Sequence, residues 1–154
     1  MFILGFAIFF IGSCLTTILL GGNLLNYLNL PTLLMILIPL VAVLTATKSF
    51  KVFYHGLKAV IVPKQPISEE LRGQAASLFR LLSKSTAIIS TIVFIISIVN
   101  TLTGLDYPYP DFRYAVGVKV AASLVIIIYG LFLIVAVFEP VVFNLKKRRE
   151  MDRK

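Results

Sequence analysis

Five hydroxyl side chains, Ser83, Thr86, Ser90, Ser97 and Thr101, fall within about 60° of one another when their segment is wound at 100° per residue. Phe94 interrupts the stripe. Along an apolar helix such a stripe turns away from lipid and can do one of two things. It can join helices through small-residue packing and hydrogen bonds, or it can line a partly wet path for ions. Both readings fit the residue types and spacing, so both stay open at this level. The remaining reactive residues are sparse. Cys14 and His55 are each the single residue of their kind; a lone Cys forms no internal disulfide, and the two supply neither a metal set nor a nucleophile–base pair. Cys14 reads as a small apolar filler in a helix. Glu139 stands directly before Pro140 near the end of an uncharged run. It is expected to pair with a base such as Lys146 or to lie in headgroup water, a buried proton-handling role being the alternative. There is no phosphate-binding glycine loop, and no catalytic, cofactor or metal site is expected.

The elements that position these residues follow from the charge pattern. The chain has 154 residues, 58% hydrophobic and 14% charged, with a mean hydropathy of +0.95. Residues 1–47 contain no Lys, Arg, Asp, Glu or His, and 85–105 and 120–138 are likewise uncharged. Since a spanning helix takes about 20 apolar residues, the pattern predicts an all-α membrane protein of one domain with four transmembrane helices. These are placed at 2–20, 31–48, 85–105 and 112–143, with a cytoplasmic segment at 49–84 and a basic tail at 144–154. The net charge of +8 could suggest a nucleic-acid partner, but the basic residues flank the apolar spans. Lys48–Lys84 carries seven bases against Glu69 and Glu70, and Lys146–Lys154 six against Glu150 and Asp152. The positive-inside rule places both segments, and hence both termini, in the cytoplasm. The first apolar segment lacks a basic leader and cleavage site, and is expected to be a retained helix.

Local signals refine the plan. Gly21-Gly22-Asn23 breaks the first helix, whose Gly5, Gly12, Ser13 and Thr16 would allow a close neighbour. Pro31 suits the first turn of the second helix, and Pro39 inside it predicts a kink. Lys48, Lys51, His55 and Lys58 share one face while Phe50, Phe53, Tyr54 and Leu57 occupy another, which predicts an amphipathic continuation of the second helix beyond the membrane. The prolines at 63 and 66 make a turn, and Ser68 with Glu69 and Glu70 opens the next helix. Leu71, Ala75, Leu78, Phe79 and Leu82 mark its buried face, and one long helix is expected between Ser68 and Leu105. Arg72, Arg80, Glu69 and Glu70 read as solvated charges on a short stalk. Asp106–Asp111 forms a stiff outer loop. The fourth helix, about 48 Å long at 1.5 Å per residue, exceeds a hydrocarbon core of about 30 Å and should tilt or project, with Lys119 snorkelling to the interface.

Two stretches carry a likeness. The first, Leu19 to Leu34, has the Gly21-Gly22 break followed by Pro31-Thr32. The second runs from Ser90-Thr91 through Tyr114–Ala122 to Tyr129-Gly130 and Pro140. In order and spacing they resemble the MotA branch of the MotA/TolQ/ExbB family of ion-driven inner-membrane motors. The resemblance implies a ring of five subunits around single-span helices of a MotB/TolR/ExbD-like partner, driven by protons or sodium ions. It implies pore-lining or partner-facing positions at Thr86, Ser90, Thr91, Phe94, Ser97, Thr101, Ile127, Tyr129 and Gly130, and structural roles for Gly21, Gly22, Pro31 and Pro140. Thr91 matches the family's helix-three Thr at the ion path. The chain departs from the family where a Thr-Thr pair becomes Ile126-Ile127, where an Asn becomes Val135, and around Lys84, Ser85 and Ser90, and its cytoplasmic segment is far shorter than in flagellar relatives. A greasier lumen motivates an alternative, a non-conducting membrane scaffold or accessory subunit of the same fold.

Overall fold

A long apolar run away from water has to satisfy its own backbone N–H and C=O groups, and the helix is the open-ended way to do so. The computed structural model describes residues 2–24, 29–62, 67–103 and 112–151. The regular structure among them is helical throughout: α1 (Phe2–Leu19), α2 (Leu30–Ala46), α3 (Phe50–Ile61), α4 (Glu69–Thr103), α5 (Phe112–Phe132) and α6 (Glu139–Met151). A π-helical segment, Leu133–Phe138, joins α5 to α6 without a break. The 35 residues of α4 make a rod about 52 Å long, and the 32-residue stretch Val116–Lys147 is comparable. These two helices are long and apolar enough to cross a membrane, and α2 with α3 becomes a third if that bent pair is one broken span. The 18 residues of α1 reach about 27 Å, slightly less than the hydrocarbon core. The expected turn at 63–66, the end of the long helix at 104–105, the loop Asp106–Asp111 and the tail end 152–154 lie outside the described residues.

Both α1 and α2 stop in the same way. At the end of α1, Gly21 adopts φ +73°, its N–H donates to the Ile18 carbonyl, and the Gly22 N–H reaches back to Thr17 at 2.9 Å. This left-handed Schellman cap favours glycine. A side chain at Gly22 would also meet the Thr17 carbonyl at 3.0 Å. At the end of α2, Lys48 takes the left-handed position with φ +51°, and the Lys48 and Ser49 N–H groups donate to Thr45 and Leu44 at 3.0 Å. The chain then turns by 112° into α3. The continuous exit helix that the spacing predicts is therefore replaced by a capped break. The periodicity of Lys48, Lys51, His55 and Lys58 is compatible with either, because three-to-four spacing does not register a reversal at its first member.

What directs α3 back is packing. A β-carbon at Gly56 would lie 2.9 Å from Ala75 Cβ and from the Phe79 ring, so only glycine lets α3 rest on α4 this closely. Phe79 is fully buried and stands between Phe53 (centroids 5.2 Å apart) and Phe138 (6.1 Å). Ala75, Leu78, Phe79 and Leu82 are buried, Leu71 is half-buried, and Ile36, Leu40 and Leu44 of α2 join Val141, Val142 and Leu145 of α6 in the same core. Lys51, Tyr54 and His55 stay exposed on the far side of α3, with the Lys58 ammonium 5.8 Å from the Tyr54 ring. α1 is peripheral. Its Phe6, Phe9 and Phe10 meet Phe132, while Gly5 and Gly12 face open space.

Pro39 lies inside α2, and Asn29 caps that helix through its side-chain oxygen, which accepts from the Thr32 N–H at 3.2 Å. Pro31 occupies its first turn. Pro140 follows the π-helical segment. Its ring has no N–H and crowds the carbonyl four residues back; the wider turn, closed by the Glu139 N–H on the Ile134 carbonyl, relieves that conflict. The helix then continues to Met151, so residues 144–151 of the basic tail are helical. Replacing Lys48 by Gly should remove the left-handed strain and raise stability by about 1 kcal/mol. Thermal unfolding in detergent measures this, and Lys48→Val should shift the midpoint the other way.

Candidate functional site

The hydroxyl stripe lies in the seam where α4 runs beside α5 and α6. At one end Ser83 Oγ donates to Glu139 Oε1 at 2.8 Å, so the partner of Glu139 is this hydroxyl and not Lys146, and the carboxylate remains largely exposed. Next, Thr86 is fully buried and donates to the Leu82 carbonyl at 2.8 Å. Ser90, 4% exposed, abuts Gly130: a β-carbon there would sit 2.7 Å from Ser90 Cβ and nearer still to its Oγ. Gly130 is therefore the point of closest approach between the two rods. Ser90 Oγ is buried without a hydrogen-bond partner, an unusual state for a polar atom.

Toward the other end, Ser97 and Ser123 meet at 2.6 Å. Ser123 Oγ has one proton, which it donates to the Lys119 carbonyl at 2.9 Å. Ser97 must therefore supply the proton of the Ser97–Ser123 bond. Thr101, buried, donates to the Ser97 carbonyl at 2.9 Å. Phe94 is half-buried. Three of these six hydroxyls, Thr86, Ser123 and Thr101, donate to backbone carbonyls. The seam is thus a set of separate clasps between helices, with no continuous hydrogen-bonded chain joining one hydroxyl to the next among the described residues.

The other positions singled out by the resemblance scatter around this seam. Tyr129 turns toward α2, its hydroxyl accepting the Asn29 N–H at 3.0 Å. Ile127 is half-buried, while Ile126 is 2% exposed and belongs to the core. Val135 is exposed. Thr91 stands apart from the stripe. It is exposed, donates to the Ala87 carbonyl at 2.8 Å, and lies on an uncovered apolar face with Ile88, Ile92 and Ile95, each at least half exposed. Two partners escaped the sequence reading. Ser123 is a single hydroxyl among apolar residues, and Asn29 acts through its backbone; neither forms a pattern.

At the Thr101 end of the seam, Met35, Val93, Ile96, Ser97, Asn100 and Lys119 border a cleft of about 300 Å³. Cys14 is a free thiol, half-buried in α1. Among the described residues no three His, Cys, Asp or Glu side chains converge as a metal set would require. Set beside family models, curated proteins and solved structures, the chain matches none of them.

The seam makes two opposite predictions for neighbouring atoms. Gly130→Ala should destabilise the helix pair by about 1–3 kcal/mol, because the added carbon has no room. Ser90→Ala should be neutral or stabilising by about 1 kcal/mol, because it deletes a buried hydroxyl that has no partner. Denaturation of each purified variant in one detergent tests both.

Proposed function

We propose that the chain is a four-span subunit of an inner-membrane, ion-driven complex similar to the MotA/TolQ/ExbB motors. In this reading subunits form a pentameric ring around single-span helices of a MotB/TolR/ExbD-like partner, proton or sodium flow drives the assembly, and both termini are cytoplasmic. The observation that carries the reading is the position of Thr91. It is the residue that matches the family's helix-three Thr, and it lies on a face of α4 that is exposed among the described residues. There its hydroxyl, satisfied as a donor by Ala87, keeps acceptor capacity for an ion's hydration shell or a partner helix. The two long antiparallel rods add support, since they exceed a bilayer's thickness and can form the wall of a ring.

A second reading, a non-conducting scaffold of the same fold, is favoured by one specific feature. The stripe of Ser83, Thr86, Ser90 and Ser97 is occupied by contacts with α5 and α6 within the subunit, which leaves Thr91 as the hydroxyl available to a lumen in the middle of that span. Two measurements separate the readings. Affinity purification under mild detergent should recover a small one-span protein with an acidic residue early in its span; a monodisperse assembly lacking any such protein contradicts the motor reading. In proteoliposomes the complex should pass protons or sodium, and Thr91→Leu should abolish that flux while leaving the assembly's size unchanged. Flux that persists in Thr91→Leu contradicts the role of Thr91, and absence of flux in the parent complex selects the scaffold.

A further inference from the structure

Beyond the seam, a partly open cavity of about 120 Å³ lies between α4 and α6 near the basic end of the molecule. Its wall includes Arg72 and Arg80 from α4 and Lys146 from α6, with Gly73, Ser77 and Leu145 between them. Among the seven described residues that line it, three carry positive charge and none negative. Arg72 is only 8% exposed, although a guanidinium is rarely that buried. Leu145, also in the wall, is fully buried. A β-carbon at Gly73 would meet nothing within 4 Å, so the space beside Arg72 is open. The nearest turn of α4 also holds Glu70, whose carboxylate is engaged by Gln74 Nε2 at 3.3 Å.

We propose that this cavity binds a phosphate anion. The Arg80 guanidinium presents a planar set of N–H donors suited to phosphate oxygens. Arg72, already engaged within the chain, adds positive charge to the wall, the ammonium of Lys146 adds a third charge from the facing helix, and Ser77 offers a hydroxyl. The volume equals about four waters at roughly 30 Å³ each, enough for one tetrahedral oxyanion. Where the cavity lies indicates the source. On another side of the same stretch of α4, α3 packs at Ala75 and Phe79, exposing Phe50 and Tyr54 beside Lys51 and His55. An amphipathic helix of that composition rests at a membrane surface, which sets the cavity at headgroup depth. The ligand is therefore the phosphate of an anionic phospholipid headgroup or, by the same chemistry, free phosphate. Basic pockets between helices on the cytoplasmic side suit such headgroups.

The test uses the full chain, stripped of lipid in a neutral detergent and titrated in parallel with short-chain phosphatidylglycerol and with inorganic phosphate, read by thermal stabilisation and by adduct mass. Saturable one-to-one stabilisation by phosphatidylglycerol alone assigns the headgroup; an equal response to inorganic phosphate assigns the free anion, and either supports the cavity. Arg80→Gln with Lys146→Gln should weaken binding at least about tenfold, as expected for loss of charge-assisted contacts. Lys51→Gln on the exposed face of α3 should leave it unchanged. Gly73→Leu keeps every charge, improves helix propensity and fills the cavity, so it too should abolish binding in a folded protein. The proposal is overturned if neither ligand stabilises the parent chain, if Gly73→Leu binds as the parent does, or if Lys51→Gln weakens binding as much as the cavity variants.

Discussion

The close approach of α4 to the α5–α6 rod at Ser90 and Gly130 determines how the rest of the chain can pack. With no side chain at Gly130, the two rods come near enough for Ser83 to reach Glu139 and Ser97 to reach Ser123, about two helical turns to either side. In a setting where lipid is as apolar as leucine, hydrophobic burial does little to join helices. Small residues and hydrogen bonds have to do it instead. The seam follows that rule along its length, and at the buried, unpartnered Oγ of Ser90 close packing has displaced hydrogen bonding.

The other elements depend on this pair. α2 is capped by Asn29, whose backbone is held by the Tyr129 hydroxyl one residue before Gly130. α3 is returned to α4 by the cap at Lys48 and admitted by Gly56, where it meets Phe79 from the side opposite Phe138. The π-helical segment before Pro140 belongs to the same economy of space. By widening one turn it accommodates the proline ring and lets Val141, Val142 and Leu145 reach the core below. α1, joined in part through phenylalanine contacts with Phe132, leaves most of its surface to its surroundings.

These arrangements bear on function through what they occupy and what they leave open. The stripe is used within the subunit, as helix-joining hydroxyls commonly are, and this narrows where a wet path could run. Thr91 lies on another flank of α4, among isoleucines that are exposed among the described residues. A ring reading therefore rests on one uncovered residue and its neighbours, while the scaffold reading draws on the closed seam. The basic cavity between α4 and α6 is independent of both, since its charges would hold an anion whether or not ions cross the membrane.

Apolar run lengths and charge placement by themselves determined the helical class, the two long rods, the caps at Gly21 and Ser68, and the buried face of Ala75, Leu78, Phe79 and Leu82. Each of these follows from local composition or from a period of 3.6 residues, and neither depends on a distant partner. The stripe itself was legible, as five hydroxyls on one arc, but its partner was not. Sequence periodicity gives the direction of a side chain around its own helix and carries no information about what stands opposite. Only the tertiary structure decided that Gly130, Ser123 and Glu139 face the stripe, that Tyr129 turns inward to α2, and that Arg72, Arg80 and Lys146 border one cavity. The break at Lys48 was hidden for a related reason. A non-glycine residue in the left-handed region carries no local signature, and what holds it there is the packing of α3 on α4 through Gly56, which is decided between helices and not along one.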